Sequence, residues 1–240
     1  MDQNFQTLRD KAIMRLSDYL DSLKDDKRGS VLAYWINDYV RFLEKEDDFV
    51  PSKTPHLKRG NIVKVHLGYR VGSEEGGLRY AIVIDISTNA SDGTVRIIPL
   101  TSLKRKHDLS KLYFSNVYLG NEIYDELMAK FKDIYALSTT MLDGLRERLN
   151  MESELSQAEA EDIERSIEFL KNKLKVEQKT KSELLKMKQG SIALVGQITT
   201  VSKLRIYNPR HSTDALFDVR ISDEALDKID AKIKELYTKM

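Results

Sequence analysis

Apolar positions recur at intervals of three and four along the first quarter of the chain. Phe5, Leu8, Ala12, Leu16, Leu20 and Leu23 share one face of a predicted helix. Val31, Leu32, Trp35, Ile36, Val40 and Leu43 share one face of a second. Between them DDKRGS (25–30) breaks the period, with Gly29 as the stop and Ser30 as a candidate N-cap. EKEDDFVPSKTP (44–55) is polar and holds two prolines, so it reads as a linker. Two short helices bury little against each other, and the pair is expected to pack on another element, with Trp35 as its anchor.

From residue 61 the period shortens. NIVKVHL, YAIVIDI, TVRIIPL and KLYFSNVYL are rich in Val, Ile and Tyr, and GYRVGSEEGG (68–77) and STNASDG (87–93) separate the first three of them with turn residues. Short strands at this spacing predict a small barrel or a strongly coiled sheet. Helical spacing returns at 121–188, through Ile123, Leu127, Phe131, Ile134, Leu145 and Leu149, and again through Ile163, Ile167, Leu170 and Leu174. Ser156 and Glu159 sit at capping-box spacing before the second helix. GSIALVGQITTV (190–201) reads as one strand, and Ser222 caps a last helix striped by Ala225, Leu226, Ile229, Ile233 and Leu236.

The order is helices, strands, helices, strand, helix. A lone strand at 190–201 has no sheet of its own, so it is expected to rejoin the earlier one. The predicted fold class is α+β: a small SH3-like barrel with an N-terminal helical hairpin, a two-helix insertion and a C-terminal helix. The domain reading is 1–55 for the extension, 56–120 with 190–240 for the barrel, and 121–189 for the insertion.

The chain has 240 residues, 41% of them hydrophobic, enough for one large core or two small ones. It has no cysteine and four scattered histidines, which excludes disulfides, thiolate nucleophiles and Cys-ligated metal, and argues against a histidine metal site. With no apolar run of spanning length and no secretory pattern at the start, the expectation is a soluble, cytoplasmic protein with no membrane partner. The net charge of +1 hides an uneven distribution: residues 56–120 carry net +5, against −2 for 1–55, −3 for 121–189 and +1 for 190–240. The β-rich segment is therefore where a polyanion would bind.

Three stretches of that unit stand out. They are Arg59-Gly60 followed by Gly72-Ser73-Glu74-Glu75-Gly76-Gly77 and Arg79-Tyr80; Pro99-Leu100-Thr101-Ser102; and Gly196-Gln197-Ile198-Thr199-Thr200 followed by Arg205. In this order they resemble the MazF/PemK family, the endoribonuclease toxins of type II toxin–antitoxin pairs. The resemblance covers 58–120 and 190–240. It implies a MazF-type barrel that cleaves single-stranded RNA without metal or other cofactor, works as a homodimer, and is held in check by a cognate antitoxin. It also implies Arg79 and Thr101 as the catalytic pair with Glu74 assisting. Ser73, Glu75, Gly77, Tyr80, Ser102, Lys104, Gln197, Lys203 and Arg205 would then lie along the RNA. The chemistry suits the residues. RNA brings its own 2′-OH nucleophile, and a rigid guanidinium fork with a short hydroxyl can stabilise a phosphorane-like transition state.

Two positions depart from the family pattern. Tyr80 stands where the family has Pro, and Gly196 where it has an acid. The second departure keeps open a different class of function, a weak or inactive barrel used as an RNA- or protein-binding module. Plainer roles also stay open. Arg79 suits a strand-end ion pair with Glu74 or Glu75, KRKH (104–107) suits a solvated loop, and His66 suits a sheet face. The acidic stretch 152–168 suits a built-in regulator that mimics an antitoxin.

Overall fold

The computed structural model describes residues 3–86, 89–103, 109–151 and 156–239. The chain divides into two units. The first holds the residues up to Phe49 together with Leu67–Gly77; the second holds Val50–His66 and everything from Leu78 on.

In the first unit, α1 (Gln3–Ser22) and α2 (Lys27–Glu44) form where the three–four spacing predicts them. The break falls earlier than expected. Asp26, not Ser30, is the N-cap of α2, and its carboxylate accepts the Arg28 N–H at 2.8 Å. Gly29 lies inside the first turn of α2 rather than stopping a helix. A Cβ there would sit 2.5 Å from the Leu23 carbonyl oxygen, so glycine is what lets the two helices turn back this tightly. Trp35 rests near Tyr39 and Phe42, with ring centroids 5.7 and 6.3 Å away. It also supports the Leu67–Gly77 loop. Gly68 has φ +91° and no Cβ; one built there would be 2.8 Å from the indole. The loop's base is tied by Leu67 N–H to the Gly77 carbonyl and Gly77 N–H to the Gly68 carbonyl, both 2.8 Å.

The second unit is built on an antiparallel sheet. Its strands are β1 (Ile62–His66), β2 (Leu78–Val83), β3 (Thr94–Ser102), β4 (Asn116–Gly120), β5 (Ser191–Leu194), β6 (Thr199–Ser202) and β7 (Ile206–Asn208). The order is β4-β5-β3-β2-β1-β7, with β6 also on β3. Residues 190–201 do return to the sheet, as two strands rather than one. β6 pairs with the first half of β3, Ile97 facing Thr199, and β5 with its end, Thr101 facing Ile192. A 3-10 turn at Val195–Gln197 takes up the slack. Pro99 lies on β3 between those two pairs. It has no N–H to offer, so the partner strand can leave the ladder there without stranding a donor. Of KLYFSNVYL, only the last four residues join β4; the first five form a 3-10 turn and coil.

The expected SH3-like barrel is not closed. β4 and β7 end the ladder and do not pair with each other. Instead the chain runs from β3 to β1 through β6, a 3-10 turn at Lys203–Arg205, and β7. Apolar Val63, Val65, Ala81, Val83, Val95, Ile97, Val201 and Ile206 are buried along this curl.

α3 (Glu122–Met151), α4 (Gln157–Lys186) and α5 (Asp223–Tyr237) complete the unit. Ser156 and Glu159 form the capping box read from the sequence, and Ser222 caps α5 through the Ala225 N–H at 3.1 Å. Ile123 and Leu127 of α3, Leu184 of α4 and Leu226 and Ile229 of α5 share one core with Ile62, Ile82, Ile98 and Leu100. Each such side chain contributes about 2 kcal/mol by leaving water. Among the described residues no helix is long and apolar enough to cross a membrane.

The helix pair also holds the segment before α5. Lys130 of α3 donates to the carbonyls of Ala215 (2.9 Å) and Phe217 (2.5 Å), and Lys179 of α4 pairs with Asp214 at 2.6 Å. Burial lowers the Lys130 pKa from its ordinary 10.5 to about 8, against the opposing pull of Asp218 and Asp214. Between those two values the unfolded chain keeps a proton that the folded chain has shed, so Lys130 makes stability rise with pH. Chemical unfolding of the wild type should therefore gain stability from pH 8 towards 10 relative to Lys130→Met. Parallel profiles for the two proteins would refute this.

Candidate functional site

The two faces of the sheet are set by strand alternation. Ile62, Tyr80, Ile82, Ile98 and Leu100 face the helices. Residues one position away, Val63, Val65, Arg79, Ala81, Ile97 and Thr101, face the opposite side. The β2–β3 ladder pairs Val83 with Ile97 and Ala81 with Pro99. Continued two residues, the same register sets Arg79 across from Thr101. One row then crosses the sheet from Ile206 (β7) through Val65 (β1), Arg79 (β2), Thr101 (β3) and Ile192 (β5) to Tyr118 (β4). Arg79 and Thr101 are both half-buried, and the Arg79 guanidinium lies 3.4 Å from the Leu78 carbonyl. Ser102 is one residue further along β3, opposite Ser191 and also half-buried.

Arg205 comes to the same end of the sheet. Its Nε donates to the His66 carbonyl at 2.8 Å, next to the Val65–Arg79 rung. Arg210, which the sequence reading overlooked, stacks over Tyr207 at 4.9 Å and donates to the Ile206 carbonyl. The signal was the Tyr207-Asn-Pro-Arg210 run: its aromatic and its cation, three residues apart, are brought together by the turn. Two guanidiniums at the β7 edge and one on β2 give this end of the sheet rigid, always-charged donors suited to phosphate oxygens.

On the opposite face a buried carboxylate fixes the neighbouring rung. Lys64 and Tyr80 pair across β1 and β2, and both donate to Glu183 in the last turn of α4. Glu183 is buried and Lys64 partly so. Burial first, then the hydrogen bond to Glu183, raises the Tyr80 pKa far above the usual phenol value. Tyr80, expected to lie along the RNA, packs against the helical core with its hydroxyl committed to Glu183.

Lys203 also departs from expectation. It is 4% exposed, its ammonium points to the Asn89 carbonyl, and burial lowers its pKa. A cation so placed is a structural part of the curl, turned to the backbone and away from solvent. Gln197 is half-buried in the 3-10 turn between β5 and β6. Beside it, a Cβ on Gly196 would lie 2.9 Å from Ser115 Oγ and 3.0 Å from its Cβ, so Ser115 fills the space an acid would need. Lys104, with the rest of KRKH, lies outside the described residues.

The remaining candidates belong to the other unit. In the Leu67–Gly77 loop Ser73 and Glu74 are exposed and Glu75 and Gly77 half-buried. Glu74 is 3.7 Å from Arg70, which is itself anchored on the Leu67 carbonyl. Among the described residues, no three His, Asp or Glu side chains are grouped so as to hold a metal ion.

Residues 58–170 match the family model of the PemK-like, MazF-like toxins of type II toxin-antitoxin systems. The match takes in β1 to β4, α3 and the first half of α4, and so includes Arg79 and Thr101 but not Gln197 or Arg205. No curated protein matches the chain closely enough to count as a relative.

The Glu183 cluster makes a direct prediction. Glu183→Ala leaves the partly buried Lys64 ammonium without its counter-ion and should cost about 3 kcal/mol in urea unfolding. Tyr80→Phe removes one hydrogen bond and should cost about 1 kcal/mol. Equal and negligible losses would show that the cluster does not hold α4 to the sheet.

Proposed function

We propose, from the PemK-like, MazF-like toxin segment at residues 58–170, that this protein is the toxin of a type II pair and an endoribonuclease acting on single-stranded RNA. What supports the reading is that Arg79 on β2 and Thr101 on β3 share the sheet face turned away from the helices, and that the β2–β3 register, continued two residues beyond Ala81 and Pro99, brings them across from each other. The net +5 of residues 56–120 supports a polyanionic substrate.

In this mechanism the 2′-oxygen attacks the adjacent phosphorus and the bond to the 5′-oxygen breaks. The products are a 2′,3′-cyclic phosphate and a 5′-hydroxyl. The proton lost by the 2′-OH is balanced by one gained by the leaving oxygen. The Arg79 fork donates to the non-bridging oxygens as charge builds on them, and the Thr101 hydroxyl adds a donor. By the family pattern Glu74 assists the proton transfers. The nucleophile belongs to the substrate, and stabilising charge requires only these fixed donors, so the reaction proceeds without a metal. Arg205 and Arg210 hold flanking phosphates. The protein works in the cytoplasm as a homodimer, and an antitoxin covers the cationic end of the sheet.

A second reading has one specific observation behind it. Ser115 occupies the space of the family's acid at position 196, which suits a barrel that binds RNA or protein and cuts slowly or not at all.

One assay separates the two. Purified protein should cleave a defined transcript in EDTA and leave cyclic phosphate ends. Arg79→Ala should lower the rate by about a hundredfold or more, and Thr101→Ala by a smaller factor, both with unchanged unfolding midpoints. Loss of cleavage in EDTA, or full activity in Arg79→Ala, would overturn the mechanism. Intact RNA with measurable binding would favour the second reading.

A further inference from the structure

The row that carries Arg79 and Thr101 ends on an aromatic. Tyr118 of β4 faces Ile192 of β5, which faces Thr101, so all three project from one side of the sheet. Two strand spacings separate Tyr118 from Thr101, roughly 10 Å. On β4 the alternate residues Val117 and Leu119 belong to the helical core, whereas Tyr118 is 36% exposed.

Two more aromatics stand just before this strand. Tyr113 and Phe114 are 71% and 67% exposed, and their rings lie 5.8 Å apart. They occupy the turn closed by the Asn116 N–H on the Tyr113 carbonyl at 2.9 Å. The next residue, Ser115, is the one packed against Gly196 beside Gln197. Two large side chains kept in water on an ordered turn, a few residues before a third on the face of Arg79, have no role in the core.

We propose that Tyr118 together with the Tyr113–Phe114 pair forms a base-stacking subsite for unpaired nucleobases on one side of the phosphate held by Arg79. The proposal rests on the ribonuclease reading and deepens it. Aromatic faces stack on any base, while the cations of the same face carry the backbone. The chemistry favours RNA over an apolar protein surface because the aromatics sit in the segment of net +5, and Tyr118 lies in the row that holds Arg79 and Thr101, with Ile192 as its immediate neighbour. The subsite supplies grip and register along the strand without reading sequence by hydrogen bonds.

The test uses 5′-fluorescein-labelled single-stranded oligonucleotides of twelve deoxyadenosines, which lack the 2′-OH and cannot be cut. Anisotropy titrations should show wild type binding. Tyr118→Leu and a Tyr113→Leu/Phe114→Leu double variant should each weaken Kd by on the order of tenfold. Tyr118→Phe should bind like wild type, because the ring is retained. The slope of log Kd against log salt should stay the same in the Leu variants, since no phosphate contact is lost. Unfolding midpoints serve as the control for folding.

Leu variants that stay folded and bind as tightly as wild type would overturn the subsite. So would a wild type that does not bind the probe. A drop in sedimentation mass for the Leu variants with unchanged Kd would assign the aromatics to a protein interface and also overturn it. The parent reading is judged separately. If wild type binds the probe through the aromatics but leaves RNA uncut, the subsite stands and the nuclease assignment falls. If wild type cuts RNA and the Leu variants cut equally well, only the subsite falls.

Discussion

A carboxylate in the last turn of a helix faces the negative end of the peptide dipoles, and one that is also buried has no water to compensate. Glu183 is in that position at the end of α4. Its two donors come from a single rung of the sheet, Lys64 on β1 and Tyr80 on β2. Displacing the helix from those strands would leave all three groups without these partners. The contact therefore fixes the 30-residue α4 and the β1–β2 ladder to each other at one point. It also commits the even-numbered side of β2 to the helices, which leaves Arg79 to the other side.

Strand alternation does the rest. Once Tyr80 is turned inward, every second residue along β1, β2 and β3 follows, and the side facing away from the helices collects Val65, Arg79 and Thr101 in one row. β3 carries this arrangement because it changes partners at Pro99, meeting β6 before the proline and β5 after it. The helices bury one side, the curl through β6 and β7 buries most of the other, and half-buried Arg79 and Thr101 lie where β2 begins and β3 ends.

Much of this was legible in the residues. Five helices, the capping box at Ser156 and the N-cap at Ser222 follow from periodicity and cap chemistry. Arg79 and Thr101 stand out only through the family resemblance carried by the glycine-rich turn and the Pro-Leu-Thr-Ser strand end. What escaped was long-range. Nothing near Tyr80 in sequence announces that its hydroxyl meets a carboxylate 103 residues away, and Lys203 reads as a surface cation until the curl buries it. The break at Pro99 was in plain sight, but its effect depends on which strand lies alongside. The turn at 195–197 was hidden by an apolar run that spells one continuous strand, and Gly29 passed for a helix stop because a turn that close to Leu23 cannot be inferred from local pattern.

The packing of Ser115 against Gly196 has an evolutionary corollary. The two positions share one small volume, so a side chain can grow at one only if the other shrinks. A side chain at 196 therefore calls for a smaller or turned-away side chain at 115, or a shift of one backbone past the other. The order of change is thereby directional: position 115 can shrink first without crowding, whereas a side chain added first at 196 meets Ser115 Oγ at 2.9 Å.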